Sequence, residues 1–228
     1  MSSAALASAT TRTDAGLAPW QGNVQRLAWL RELASKNPDL AREETWRWLR
    51  SFEKLETHHD LGWLFAQGTT PGDKLPRGDC EGAVLGLYGA LWLDGVDRLV
   101  RVGRLLGGIG WTGKTFDPKT GTGYNRLTTS ARIPMLLTMP AYRFEKVGGE
   151  LIGFHFDHKI DVSPLSPEQK VRSIAYDNPN YKNPLVLPRT RDELTEITPN
   201  VYLGRALRCE DGNWRVVGYF ALRQPAGS

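Results

Sequence analysis

The most conspicuous chemical motif of this sequence is the run Gly108–Thr115, which reads G-I-G-W-T-G-K-T. It fits G-x-x-x-x-G-K-[ST], the phosphate-binding loop of nucleotide hydrolases, in which backbone N–H groups and the Lys hold the phosphates. Such a loop needs a helix directly after the Lys, because the helix N-terminus supplies the oriented N–H groups. Pro118 and two nearby glycines disfavour that helix. We therefore expect a Gly-rich turn that carries Trp111 and Lys114 at the rim of a barrel.

Trp111 and Lys114 are the first candidates for ligand contact. A Trp offers an apolar platform, and a Lys can neutralise a carboxylate or a phosphate group. The second half of the chain adds four polar candidates for the same ligand site, namely Asn125, Tyr176, Tyr202 and Arg205. The alternative is a structural closure, in which Trp111 plugs the bottom of the barrel and Lys114 or Arg205 covers it from outside. Both interpretations remain open at the level of the sequence.

A possible catalytic pair lies on the strand predicted for residues 153–161. Successive side chains of a strand alternate between its two faces, so His155 and Asp157 share one face, and Phe154 and Phe156 share the other. If the polar face points into a barrel, His155 and Asp157 form an acid–base pair in which the carboxylate stabilises the imidazolium. The alternative is an ordinary polar face exposed to solvent.

Composition and charge exclude several classes of protein. The 228 residues include 29 Lys and Arg and 25 Asp and Glu, a net charge of +4, and no dense cationic run marks a nucleic-acid interface. The two cysteines, Cys80 and Cys209, lie far apart and lack metal-ligand spacing, which favours a reducing cytoplasm. No apolar run approaches the roughly 20 residues of a membrane span. We expect no cofactor, no metal, no nucleic-acid partner and no integral membrane association, and the oligomeric state is not predicted.

The N-terminal part of the chain predicts helices. Residues 1–19 are rich in Ala, Ser and Thr, which indicates a disordered leader. Residues 20–70 form a helical region: apolar residues recur at helical spacing, and Asn37 followed by Pro38 is typical of a helix start. The two helices on either side of Asn37 and a third short helix before Gly68 make up this region.

The rest of the chain predicts antiparallel β-structure. Short apolar runs are divided by Gly and Pro, and the stretch after Asp94 reads either as a basic amphipathic helix or as a strand. The clearest unit is a hairpin in which residues 201–209 and 214–222 flank an Asp-Gly turn. We therefore expect residues 78–224 to form an antiparallel sheet that closes into a barrel, with the helices outside it.

Several short segments resemble one protein family. Gly110–Asp117 resembles the segment G-W-x-G-K-x-F-D of mostly uncharacterised bacterial and fungal proteins that are named for a Gly-x-Trp-x-Gly motif. Further segments resemble this family in the same order, namely Leu64-Phe65 with Gly68 and Pro71, Ala175–Asn178, Leu203-Gly204 and Tyr219–Arg223. At the naming motif this chain has Gly82–Gly86 without the Trp. The resemblance implies a calycin-like or lipocalin-like barrel, a fold whose relatives hold hydrophobic small molecules.

Two functions follow from these observations. The first is binding of a hydrophobic small molecule, such as a lipid, an isoprenoid or another secondary metabolite, in the barrel cavity. The second is a cofactor-free enzyme, an isomerase, cyclase or dehydratase, that acts on a hydrophobic substrate in the same cavity. In that case His155 with Asp157, or Tyr202 with Arg205, would transfer protons.

Overall fold

A computed structural model describes residues 19–54, 58–87, 110–132, 139, 141–185 and 187–225. The described helices are α1 (Pro19–Lys36), α2 (Pro38–Ser51) and α3 (His58–Gln67). The described strands are β1 (Gly78–Leu87), β2 (Trp111–Asp117), β3 (Thr122–Thr128), β4 (Glu145–Val147), β5 (Glu150–Val162), β6 (Lys170–Ala175), β7 (Thr190–Thr198), β8 (Val201–Glu210) and β9 (Asn213–Arg223). Residues 1–18 of the expected leader, and the stretch predicted as a basic helix or strand after Asp94, lie outside the described ranges.

Eight strands form a closed antiparallel barrel. The hydrogen-bonded order is β3-β2-β1-β9-β8-β7-β6-β5, and an additional β3–β5 pairing closes the ring. The short strand β4 pairs with the beginning of β5. The hairpin between β8 and β9 turns at Asp211 and Gly212, which both have positive φ, as a tight two-residue turn requires. The predicted mainly-β fold with an antiparallel barrel and N-terminal helices is confirmed.

The barrel wall separates two hydrophobic cores because its side chains alternate between inside and outside. On β8, Tyr202 points into the barrel, whereas Val201 and Leu203 point outward. The inner core also contains Phe116, Phe154, Phe156, Ile174, Leu194, Phe220 and Leu222. The outer core joins the wall to α1, α2 and α3 through Leu30, Trp46, Leu49, Leu61, Leu64 and Phe65. The helices therefore cover the outside of the barrel.

The helices are anchored by a cap and by ion pairs. The side chain of Asn37 accepts a hydrogen bond of 3.1 Å from the backbone N–H of Leu40, and Pro38 is the first residue of α2, as predicted. Arg223 of β9 pairs with Glu43 of α2 at 2.6 Å and with Glu81 of β1 at 2.7 Å. The cap stabilises the first turn of α2, and the ion pair of Arg223 with Glu43 links this helix to the barrel wall.

The expected turn at Gly108–Thr115 is wrong for the part that the structure describes. Residues from Trp111 onward belong to β2, and the chain turns later, where the backbone N–H of Gly121 donates to the carbonyl of Asp117. Lys114 and Phe116 are buried on one face of this strand. The glycines thus allow a close strand packing rather than a phosphate-binding turn.

Arg172 of β6 joins the barrel to the segment that follows α3. Its guanidinium donates to the backbone carbonyls of Gly72, Asp73 and Leu75. His158 is buried nearby, and its ring packs edge to face against Phe116. Burial, assisted by the positive charge of Arg172, lowers the pKa of His158 to about 4. The folded protein therefore holds this imidazole neutral at neutral pH.

His158 should make the fold sensitive to acid. As the pH falls below about 6.5, the unfolded chain takes up a proton at this residue, whereas the folded chain does so only near pH 4, so stability falls across that window. The variant His158→Leu should show a smaller loss of unfolding free energy between pH 6.5 and pH 4, measured by urea denaturation. His155→Leu on the outer face of β5 is the matched control. Equal pH profiles of the wild type and His158→Leu would contradict this explanation.

Candidate functional site

Four of the predicted ligand-binding residues meet inside the barrel. Trp111 and Lys114 come from β2, Asn125 comes from β3, and Tyr176 directly follows β6. They surround Asp192 of β7, which the sequence analysis did not select. These side chains converge because the strands that carry them occupy opposite sides of a closed ring.

A β-bulge turns Trp111 and Lys114 to the same side of the sheet. Residues three positions apart on a regular strand point in opposite directions. The pairing of β2 with β3 shifts between Trp111 and Gly113, and Gly113 has a φ of 140°. A side chain at Gly113 would lie 2.0 Å from the carbonyl oxygen of Cys80, so only glycine fits. The bulge is therefore what brings the indole of Trp111 beside the ammonium of Lys114.

The polar groups form a compact network. Lys114 Nζ lies 2.9 Å from Asp192 Oδ2, 2.5 Å from the Tyr176 hydroxyl oxygen and 2.9 Å from Asn125 Oδ1. The Tyr176 hydroxyl donates to Asp192 Oδ2 at 2.7 Å. Trp111 Nε1 also donates to Asn125 Oδ1, at 3.0 Å, and Asn125 Nδ2 donates to the carbonyl of Phe154 at 2.9 Å. The two donors at Oδ1 and the carbonyl at Nδ2 fix the orientation of the Asn125 amide.

Lys114 lies in a cage of aromatic rings. Its Nζ is 5.1 to 5.8 Å from the ring centroids of Trp111, Phe156, Tyr176 and Phe220. Such contacts stabilise a cation. Burial lowers the pKa of Lys114, and the Asp192 carboxylate opposes that change. Burial and the nearby Asp192 charge raise the pKa of Tyr176 well above its ordinary value, so its hydroxyl keeps its proton at neutral pH.

The network already occupies all the donors of Lys114. An ammonium group has three N–H donors, and here three acceptors of the protein surround it. The expected role of Lys114 as a free anchor for a carboxylate or phosphate therefore needs correction. Its charge is balanced by Asp192 instead.

A cavity of about 170 Å³ adjoins this network inside the barrel. The described residues do not close it off. Its wall is mainly apolar and aromatic, and its polar side chains are those of the network together with Thr190 and Tyr219. The lining residues are Val84, Trp111, Lys114, Asn125, Phe154, Tyr176, Leu187, Thr190, Asp192, Ala206, Gly218, Tyr219 and Phe220.

Two predicted ligand-binding residues do not line this cavity. Tyr202 is fully buried in the inner core, and its hydroxyl has no hydrogen-bond partner among the described residues. Arg205 points outward, where it pairs with Glu193 at 2.8 Å and stacks over the ring of Phe65 at 4.1 Å. The two residues are three positions apart on β8 and lie on opposite faces of the wall. They cannot act together on one ligand.

The predicted pair His155 and Asp157 lies outside the barrel. The inward positions of β5 are taken by Phe154 and Phe156, so the alternation is as predicted but the polar face points outward. His155 packs beside Tyr124 and Tyr181, and Asp157 accepts hydrogen bonds from Asn178 and Tyr181. The apolar face occupies the interior because burial of aromatic surface is favourable. An acid–base role for this pair in the cavity is therefore not supported.

Comparison with known proteins gives a structural neighbour but no family. The crystal structure of a protein from Thermomonospora curvata is similar to this chain, with a TM-score of 0.48 and 14% sequence identity, and the alignment covers 81% of this chain and 97% of that chain. No family model and no curated protein matches the sequence. The resemblance to the Gly-x-Trp-x-Gly family stays a prediction.

Within the described ranges, no group of three or more His, Cys, Asp or Glu side chains is placed to hold a metal ion. No helix in this part of the chain combines the length and the apolar character needed to cross a membrane.

Removing one charge of the Lys114–Asp192 ion pair should lower the unfolding free energy more than removing both charges. Lys114→Met leaves the Asp192 carboxylate buried without its partner, so the unfolding free energy should fall by about 3–5 kcal/mol, measured by urea denaturation. Lys114→Met combined with Asp192→Asn should recover a large part of this loss. The exposed pair Lys159–Asp161 supplies the control, because Lys159→Met should change stability by less than about 1 kcal/mol. Equal losses in the single and double variants would contradict the pairing.

The bulge at Gly113 gives a separate prediction. Gly113→Ala places a methyl group against backbone that cannot move away, so the variant should be strongly destabilised in thermal denaturation. Gly148→Ala is the matched control, since Gly148 also has a positive φ but nothing within 4 Å of its added methyl. If the two variants lose the same stability, the close approach to Cys80 is unimportant.

Proposed function

We propose that this protein binds a small, mainly apolar molecule inside its barrel, in the cavity next to Lys114 and Asp192. One observation carries the proposal, namely a mainly apolar cavity that has the Lys114–Asp192 network in its wall. This arrangement is typical of small-molecule sites, in which apolar walls supply affinity and a few polar groups fix the orientation.

The size of the cavity restricts the ligand. Apolar cavities of about 150 Å³ can hold one benzene molecule. A volume of about 170 Å³ therefore suits one ring, a compact isoprenoid or secondary metabolite, or one end of a longer lipid. Trp111 and Phe220 meet edge to face at 5.7 Å beside this space, and Phe154 lines it, so a flat or unsaturated ligand would find aromatic surfaces to pack against.

The sequence resemblance also favours a hydrophobic ligand inside the barrel. The Gly-x-Trp-x-Gly family implies a calycin-like barrel, and relatives of that fold hold hydrophobic molecules inside. Both cysteines are free, which agrees with the cytoplasmic location that we expect. Family and location remain proposals.

A second candidate function is a cofactor-free enzyme that acts on a hydrophobic substrate in the same cavity. The observation that favours it is the contact between a carboxylate, a protonated Tyr hydroxyl and a Lys of lowered pKa at the cavity wall. Such neighbours can take up and return protons. The groups involved would be Asp192, Tyr176 and Lys114 in place of His155 and Asp157.

Ligand binding can be tested by filling the cavity. Val84→Phe adds a ring to the cavity wall and should weaken binding of a small apolar probe at least about tenfold, because the added ring and the probe compete for the same space. Val162→Phe, at an exposed position of β5, is the matched control and should bind as the wild type does. Titration calorimetry with phenol and cyclohexanol gives the affinities.

Native mass spectrometry of the purified protein extends the test to its natural ligand. A bound small molecule should be retained by the wild type and by Val162→Phe and lost from Val84→Phe. Absence of binding for every probe, or binding unaffected by Val84→Phe, would overturn the proposal.

A further inference from the structure

The hydrogen bonds of the network decide which polar group a ligand can present. The network has five polar side chains, namely Trp111, Lys114, Asn125, Tyr176 and Asp192, and most of their donors and acceptors are used within it. Lys114 has no spare donor, since its three N–H groups face Asn125, Tyr176 and Asp192. The Trp111 indole N–H is used by Asn125. The Tyr176 hydroxyl proton is used by Asp192.

The side-chain amide of Asn125 is also engaged by its neighbours. Its Nδ2 donates to the carbonyl of Phe154 at 2.9 Å and lies 3.5 Å from the Tyr176 hydroxyl oxygen. Its Oδ1 already accepts from two donors. A ligand that presents only a carbonyl or carboxylate oxygen would therefore meet no strong unused donor in the network, only the second Nδ2–H of Asn125, whose contact with Tyr176 is long.

One acceptor of the network remains. Asp192 Oδ2 accepts from both Lys114 and Tyr176, whereas Asp192 Oδ1 has no hydrogen bond or ion pair with any described residue. This oxygen is also not one of the polar atoms that are sealed off without a partner. Asp192 lines the cavity. A carboxylate oxygen that faces an apolar space needs a donor, because leaving it unpaired is costly.

The charge of the network favours a neutral donor. Lys114 and Asp192 together carry no net charge. An ammonium ligand at Oδ1 would add a second cation beside Lys114, and the repulsion between the two is strong in a buried site. An alcohol or phenol meets the same oxygen without that repulsion.

We propose, on the basis of the proposed binding function, that the ligand is a neutral hydroxyl compound, an alcohol or a phenol, whose O–H donates to Asp192 Oδ1. Its ring or hydrocarbon body lies against Trp111, Phe154 and Phe220. Asp192 is then the residue that determines specificity, and Lys114 and Tyr176 hold its carboxylate in place through Oδ2.

The experiment compares probes that differ only in their polar group. One series is phenol, anisole and benzaldehyde, and the second is cyclohexanol, methoxycyclohexane and cyclohexanone, each titrated calorimetrically into the full-length protein. Hydrogen bonds to charged groups contribute enough free energy that each hydroxyl probe should bind about 10- to 100-fold more tightly than its ether or carbonyl counterpart. Cyclohexylamine, protonated at neutral pH, should bind more weakly than cyclohexanol.

Two variants test whether Asp192 is the acceptor that causes this preference. Lys114→Met combined with Asp192→Leu removes both charges and the acceptor oxygens together and avoids a lone buried charge, so it should fold while losing most of the preference for phenol over anisole. Tyr176→Phe removes only the hydroxyl that donates to Oδ2 and should keep part of the preference. These variants are compared after circular dichroism shows that each is folded.

Different outcomes of these titrations test the preference for a hydroxyl group and the binding function separately. If ethers or carbonyl compounds bind as tightly as the hydroxyl probes and Val84→Phe abolishes their binding, the cavity binds ligands and the hydroxyl inference is wrong. If the double variant keeps the full preference, Asp192 is not the acceptor. If no probe binds at all, the binding function fails and the inference fails with it.

Discussion

The ion pair between Lys114 and Asp192 is the constraint on which the interior of this barrel depends. Two charges removed from water are tolerated when they meet at close range and take part in further hydrogen bonds. The hairpin of β2 and β3 supplies Lys114 and Asn125, and the region of β6 and β7 supplies Tyr176 and Asp192. These two parts of the chain meet when β3 pairs with β5 and the ring closes. The pair thus links the polarity of the cavity to the strand order of the whole fold.

The bulge in β2 shows how a local irregularity produces this arrangement. Trp111 and Lys114 share a face because Gly113 takes a backbone conformation that a larger residue would not reach. Tyr202 and Arg205 have the same spacing on β8, where the wall between them is regular, and they point to opposite sides. The same sequence interval therefore gives one shared site on β2 and two unrelated environments on β8.

Much of the fold could be predicted from the sequence, and less of the site. The Asp-Gly hairpin, the Asn37 cap and the period-two patterns have local causes and are visible in the sequence. Trp111, Lys114, Asn125 and Tyr176 were selected by residue type, but their meeting depends on closure of the ring. Asp192 stands next to Glu193 in the sequence, and nothing local indicates which of the two carboxylates points inward. Phe154 and Phe156 occupy the inward positions of β5 because burial of their rings stabilises the fold more than burial of a polar pair would.

The division between two cores bears on how the barrel tolerates its cavity. Side chains that line a space of about 170 Å³ lack packing partners on one side, so this interior contributes less dispersion energy than a filled core would. The barrel does not have to offset this loss from its own interior, since α1, α2 and α3 add a second layer of buried side chains outside the wall. The packing of the helices on the wall therefore stabilises the strand order from outside, and the side chains that line the cavity are not the only source of the stability of the barrel.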